Sequence, residues 1–256
     1  MRDLMSELTI SLVIFAIVVG SAFLGAFLSA TLPRHHLTDA TKDMLKIAIG
    51  LVTTLAALVL GLLVASTKSS FDAKTEEVRH AAADIILLDR NLRQYGPETK
   101  NVRDLLHQIV ESKVDLTWLR GETLDRSLAQ KGTASIEDVQ VAIRALVPNN
   151  DAQRSLRQRA LEIGGELAQM RWMVIEQNTS SIQIPFLIVL VFWLAMIAIG
   201  LGLLAPRNST MVAVTLVSVL ALTSAIFLVL EMDRPFEGLL KISDAPLRTA
   251  IKYLEY

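Results

Sequence analysis

Residues 47–67 read IAIGLVTTLAALVLGLLVAST, and residues 68–95 continue as KSSFDAKTEEVRHAAADIILLDRNLRQY. The first stretch carries no charge over 21 residues, matching the ~20 apolar residues that a helix needs to cross ~30 Å of hydrocarbon. The second stretch is charged, yet no proline occurs between Arg34 and Gly96, and Phe71, Val78, Ala81, Ala82, Ile85, Leu88 and Leu92 keep helical spacing. The two together predict one helix of roughly 50 residues, about 75–80 Å long at ~1.5 Å per residue, that crosses the bilayer and projects beyond it. Tyr95-Gly96-Pro97 ends it, with glycine at the C-cap and proline opening the next helix.

Three more segments are free of charge: Leu8–Pro33, Gln177–Pro206 and Asn208–Leu230, with 26, 30 and 23 residues. Each is long enough to cross as a helix, and a lone span in lipid must satisfy its own backbone hydrogen bonds. The first is not read as a cleaved leader: Arg2 is balanced by Asp3 and Glu7, and the apolar core is longer than a signal peptide needs. The expected fold class is therefore all-α. Transmembrane helices 1 and 2 lie in residues 1–66, a helical cytosolic domain in 67–182, transmembrane helices 3 and 4 in 183–231, and a C-terminal cytosolic segment in 232–256.

Composition supports the same division. The chain of 256 residues is 52% hydrophobic with mean hydropathy +0.45, yet 33 of its 51 charged side chains lie between Lys68 and Glu176. Such a chain is neither a soluble enzyme nor disordered, and a net charge of −1 excludes a nucleic-acid binder driven by bulk charge. Cysteine is absent, which removes disulfides, thiolate metal sites and cysteine nucleophiles. Four spans place both termini and the large domain on one side. Lysine and arginine near the span ends (Arg2, Lys68, Lys74, Arg79 and Arg234 against Arg34, Lys42, Lys46 and Arg207) put that side in the cytoplasm, and the expected location is a bacterial inner membrane.

The charged region reads as helix throughout. Pro97–Thr123 repeats apolar residues at helical spacing, Ser135 and Asp138 form a capping box before Ile136–Leu146, and Pro148-Asn149-Asn150-Asp151 is a turn with an N-cap before Ala152–Gln177. Ala205-Pro206-Arg207-Asn208-Ser209 joins spans three and four as a hairpin. Trp118, Trp172 and Trp193 read as packing or interface anchors.

No phosphate-binding glycine loop, His-Glu-x-x-His motif or nucleophile elbow occurs, so neither catalytic residues nor a cofactor is expected. His35, His36 and Asp39 read as a solvated loop. Glu76, His80 and Asp84 share a helical face at steps of four and read as a polar stripe rather than a metal site. The feature that bears on function is on the second span. Gly50, Thr54, Ala57, Gly61, Ala65, Lys68 and Asp72 follow at steps of three or four and make one face of small and polar residues. Two physical readings stand. Small residues let helices pack closely, as in Ala57-x-x-x-Gly61 and Gly61-x-x-x-Ala65. They equally leave room for an aqueous lumen, with the Thr54 hydroxyl facing a partly dehydrated ion, Lys68 at the mouth, and Leu58 and Leu62 beside it as candidate gates. Lys68 and Asp72 are one turn apart, and a pair between them mutes a charge ring. Val78, Ile85, Leu88 and Leu92 are expected to form an oligomer interface. After the fourth span, Glu231-Met232-Asp233-Arg234-Pro235-Phe236-Glu237-Gly238 reads as a polar stop with Asp233, Pro235, Phe236 and Gly238 as its motif.

Three segments, Leu32–Leu37, Gly50–Ser66 and Asp233–Gly238, resemble the bestrophin-like family of bacterial membrane proteins, and the resemblance covers essentially the whole chain. It extends more distantly to bestrophin channels, which are pentamers of four-span subunits with the second span lining the pore. Their Pro-Phe-Gly motif is followed by an acidic run that forms a calcium clasp. Here Pro235-Phe236-Glu237-Gly238 stands without that run, so the resemblance does not carry calcium control with it. The resemblance implies a homo-oligomer in the lipid bilayer, with a pentamer favoured, passing small inorganic ions. Anions are favoured over cations. The alternative is a non-conducting membrane scaffold or sensor whose cytosolic helices recruit a partner.

Overall fold

The computed structural model describes residues 2–33, 38–115, 118, 135–176, 184–206, 208–233, 235–236 and 239–254. Every regular element among them is helical: α1 (Arg2–Thr31), α2 (Asp39–Tyr95), a 3-10 turn (Pro97–Thr99), α3 (Lys100–Val114), α4 (Ile136–Arg144), α5 (Asp151–Glu176), α6 (Ile184–Leu204), α7 (Ser209–Met232) and α8 (Ala245–Leu254). Four of these are long and apolar enough to cross a membrane: Leu8–Thr31 within α1, α2, Pro185–Leu204 within α6, and α7. At 57 residues, α2 is longer than the sequence suggested and reaches about 85 Å. The chain falls into two compact units, 1–71 with 180–240 and 72–179 with 241–256.

In the first unit α1 packs on α6 and α7. Ile14 and Val18 of α1 meet Leu190 and Leu194 of α6 and Ile226 of α7 in a buried cluster. The closest approach is between α1 and α6. A Cβ on Gly25 would run into the carbonyl of Ile199, and one on Gly202 into the backbone of Ala22 and Ala26. Small residues that let membrane helices touch are thus found here, on α1 and α6. From α2, Ala56 joins this cluster, and Ile49 lies against Gly200. Asn208 caps α7 by accepting from the Met211 amide at 2.8 Å.

In the second unit the distal part of α2 forms one wall of a core shared with α3, α4, α5 and α8. Leu88 and Leu106 are fully buried, as are Val139, Ile143, Ala160 and Ala250. The end of α2 is sealed by specific groups. Gly96 adopts φ 138°, which only glycine takes without strain. The buried Thr99 hydroxyl lies 2.6 Å from the Leu92 carbonyl and 2.8 Å from that of Gly96. Gln153 donates to the Tyr95 carbonyl at 2.9 Å, while its own side-chain oxygen accepts from the Asn149 amide at 2.7 Å. Carbonyls that a helix terminus leaves unpaired are thereby satisfied by α5 and the 3-10 turn. The expected caps are present: Asp138 accepts from the Ser135 amide at 2.7 Å, and Asn150 accepts from the Gln153 amide at 2.7 Å.

Val78, Ile85, Leu88 and Leu92, expected at an oligomer interface, are 8%, 6%, 0% and 1% exposed within a single chain, and Ile85, Leu88 and Leu92 belong to the core shared with α3, α4, α5 and α8. The same core holds one buried acid. Asp89, 3% exposed, is held by Arg103 Nε at 2.5 Å and Arg93 Nη2 at 3.2 Å, and Arg103 Nη2 also reaches the Leu254 carbonyl at 3.5 Å. This network fastens the end of α8 to α2 and α3. Trp118 adds a second tie by donating to the Ile242 carbonyl at 2.7 Å.

Candidate functional site

Among the four apolar helices α2 is the least covered. In its most apolar window 6% of residues are buried, against 22–28% for the other three. The buried Ala56 and Thr67, with the half-buried Ile49, Val52 and Leu63, turn towards the rest of the first unit. At 100° per residue, Gly50, Thr54, Ala57, Gly61, Ala65 and Lys68 lie on nearly the opposite face. All six are exposed. A Cβ added at Gly50 or at Gly61 would meet nothing within 4 Å, in contrast to the tight contacts at Gly25 and Gly202. The small residues of α2 therefore do not serve packing within the chain. Thr54 donates its hydroxyl proton to the Gly50 carbonyl at 2.9 Å, leaving the oxygen lone pairs directed outward. Leu58 and Leu62, 60% and 62% exposed, flank the stripe, and Lys68 with Asp72 follows at the charged end.

Beyond the span, the exposed side of α2 carries Glu76 and His80, whose carboxylate and imidazole are 3.4 Å apart. Asp84 lies one turn further. Partial burial, and then the negative charge of Glu166, raise its carboxyl above the ordinary aspartate value, while His80 and Arg159 oppose the shift. Among the described residues no group of three potential ligands is placed to hold a metal ion. His35 and His36 lie outside the described residues, and Asp39 pairs with Lys42 at 3.4 Å at the start of α2.

The segment after α7 is organised around Glu231, which is 1% exposed. One oxygen of its carboxylate accepts from the amide of Leu239 and, at 3.4 Å, from that of Leu240, while the other has no hydrogen-bond partner among the described residues. Pro235 is buried and Asp233 and Phe236 are half-buried; Gly238 lies outside the described residues. The sequence reading took this stretch for a polar stop and did not assign Glu231 the role of binding the Leu239 and Leu240 amides. An acid placed directly after the apolar run Phe227–Leu230 was the available signal.

The chain belongs to the bestrophin-like family: the Bestrophin-like domain matches residues 15–247. The fold is that of a bacterial bestrophin homologue from Klebsiella pneumoniae, solved in two variant forms. The isoleucine-to-threonine variant is 18% identical, covers 95% of this chain and 97% of its own, and superposes with a TM-score of 0.58. The tyrosine-to-alanine variant is also 18% identical, with coverages of 93% and 97% and a TM-score of 0.60. No curated protein matches the chain. Family and apolar helices together make this an integral membrane protein.

Proposed function

We propose that the protein is a homo-oligomeric membrane channel in which the exposed stripe of α2 lines a central path for small inorganic ions. The observation that carries this reading is the open stripe itself: Gly50, Thr54, Ala57, Gly61 and Ala65 are exposed on the least covered span, and the two glycines face empty space. Lipid gives no reason for glycines and a hydroxyl along one face of a span, whereas an aqueous lumen does. The resemblance to bestrophin channels favours five copies around the axis. Leu58 and Leu62 stand where apolar rings narrow such a path, and a ring of Lys68 at its mouth concentrates anions. Conduction is passive, with no chemical step and no cofactor.

The bulk of the charged helical unit, 67–182, is assigned to the cytoplasmic side of a bacterial inner membrane, together with the segment 232–256. Because the chain has no cysteine, single cysteines introduced as His36→Cys and Gln130→Cys can be probed in intact cells with a membrane-impermeant maleimide. Labelling at 36 and not at 130 is expected; the reverse pattern overturns the topology.

Ion preference is tested at Lys68. In planar bilayers under a potassium chloride gradient, Lys68→Glu is expected to move the reversal potential towards that of potassium. The shift shrinks in 1 M salt, where the Debye length falls to about 3 Å. An unchanged reversal potential at low salt removes Lys68 from the mouth.

A further inference from the structure

Val217, Leu220, Ser224 and Leu228 follow at steps of three and four and share one side of α7. All four are exposed, whereas Val219, Thr223 and Ile226 on the opposite side are buried. Glu231 continues the exposed row, three residues past Leu228, yet it is 1% exposed. What reaches it is the returning chain: the amides of Leu239 and Leu240 both donate to one of its carboxylate oxygens. These bonds place the backbone of 239–240 at the last turn of α7, on the outer side of the helix. The two leucine side chains remain 68% and 40% exposed there, and Leu228, one turn back along the same side, is 50% exposed.

An apolar pair at the end of a span, on its uncovered side, continues the surface that α7 offers to lipid. Sinking such a pair into the bilayer boundary carries its own amides out of water, where an unpaired amide is costly. Glu231 removes that cost by accepting both amides. This accounts for an acid on a row that otherwise carries apolar residues and Ser224, whose hydroxyl is spent on the Leu220 carbonyl at 2.8 Å. We propose that Leu239 and Leu240 form an interfacial anchor that inserts into the bilayer beside the Met232 end of α7, with Glu231 as the positioning residue that holds their amides. Insertion is driven by the apolar area that the leucines remove from water. The inference requires only that α7 crosses the bilayer and does not depend on whether the assembly conducts.

Because the chain has no cysteine, single nitroxide labels can be attached at Leu239→Cys and Leu240→Cys in the full chain, reconstituted into vesicles of phosphatidylethanolamine and phosphatidylglycerol. Each label is relaxed by collision with oxygen, which concentrates in hydrocarbon, or with a neutral nickel chelate, which stays in water. Val217→Cys, on the same side of α7, gives the lipid reference, and Val147→Cys, a 79% exposed apolar residue of the charged unit, gives the water reference. Labels at 239 and 240 are expected to relax faster with oxygen than with nickel, as at 217. Glu231→Ala is expected to reverse that order at 239, while Glu231→Gln, whose side-chain oxygen still accepts, keeps it. A nickel-favoured reading at 239 in the otherwise unaltered chain places the leucines in water and overturns the proposal. So does exclusion of both reagents, which marks cover by a second copy. An oxygen-favoured reading that survives Glu231→Ala overturns the positioning role of Glu231. Where Glu231→Ala does not fold, the reading at 239 in the otherwise unaltered chain still decides whether the anchor exists.

Discussion

Leu88→Glu is expected to abolish folding of the helical unit formed by 72–179 and 241–256. Leu88 is 0% exposed in the core shared by α2, α3, α4, α5 and α8. Replacing it removes a packed leucine, about 2–5 kcal/mol, and places a carboxylate where no partner awaits it, at a further cost of several kcal/mol. The total rivals the whole stability of a typical domain, about 5–15 kcal/mol. Its neighbour Leu87 is 48% exposed, so Leu87→Glu should change stability by no more than about 0.5 kcal/mol. Thermal unfolding followed by circular dichroism, with size-exclusion chromatography in detergent, separates the two variants. A Leu88→Glu protein that melts like wild type and merely loses subunits would restore the interface role that the sequence pattern suggested.

The second large effect is expected from tryptophan at two glycines. Gly61→Trp should leave folding and assembly intact while reducing current more than about tenfold, because a large side chain enters a lumen that small residues keep open. The position allows it: apart from its own turn of helix, no atom lies within 4 Å of an added Cβ, and tryptophan costs a helix less than glycine does. Gly202→Trp should yield no folded protein, since even a Cβ there collides with the backbone of α1. Identical behaviour of the two variants would mean that both glycines serve helix packing.

The contrast between these glycines shows how far the sequence could be read. Charge-free length alone located all four spans, and the absence of proline before Gly96 announced the long α2. The local caps at Ser135 and in the turn Pro148-Asn149-Asn150-Asp151 were equally legible, because each depends on residues within one turn. Long-range pairings were not. The Asp89–Arg103 contact joins residues 14 apart on different helices, and Gln153 closes α2 from 58 residues away. Both depend on how the helices fold back, which periodicity does not encode. The Val78–Leu92 stripe was open for the same reason: an apolar face announces that something covers it, not which element does. Glycine spacing was ambiguous in the same way. Ala57-x-x-x-Gly61 fits close packing as a pattern, but the close packing within the chain occurs at Gly25 and Gly202.

The central claim, that the exposed stripe of α2 lines an ion path, is tested most directly by current through purified protein in planar bilayers. Wild type, Leu62→Ala and Gly61→Trp are compared at equal assembled amounts across voltages in chloride and potassium gradients. The account predicts current from wild type, larger current from Leu62→Ala as an apolar constriction is widened, and near silence from Gly61→Trp. Silence from both wild type and Leu62→Ala, or a Gly61→Trp current equal to wild type, would contradict it and leave α2 as the surface of a non-conducting scaffold.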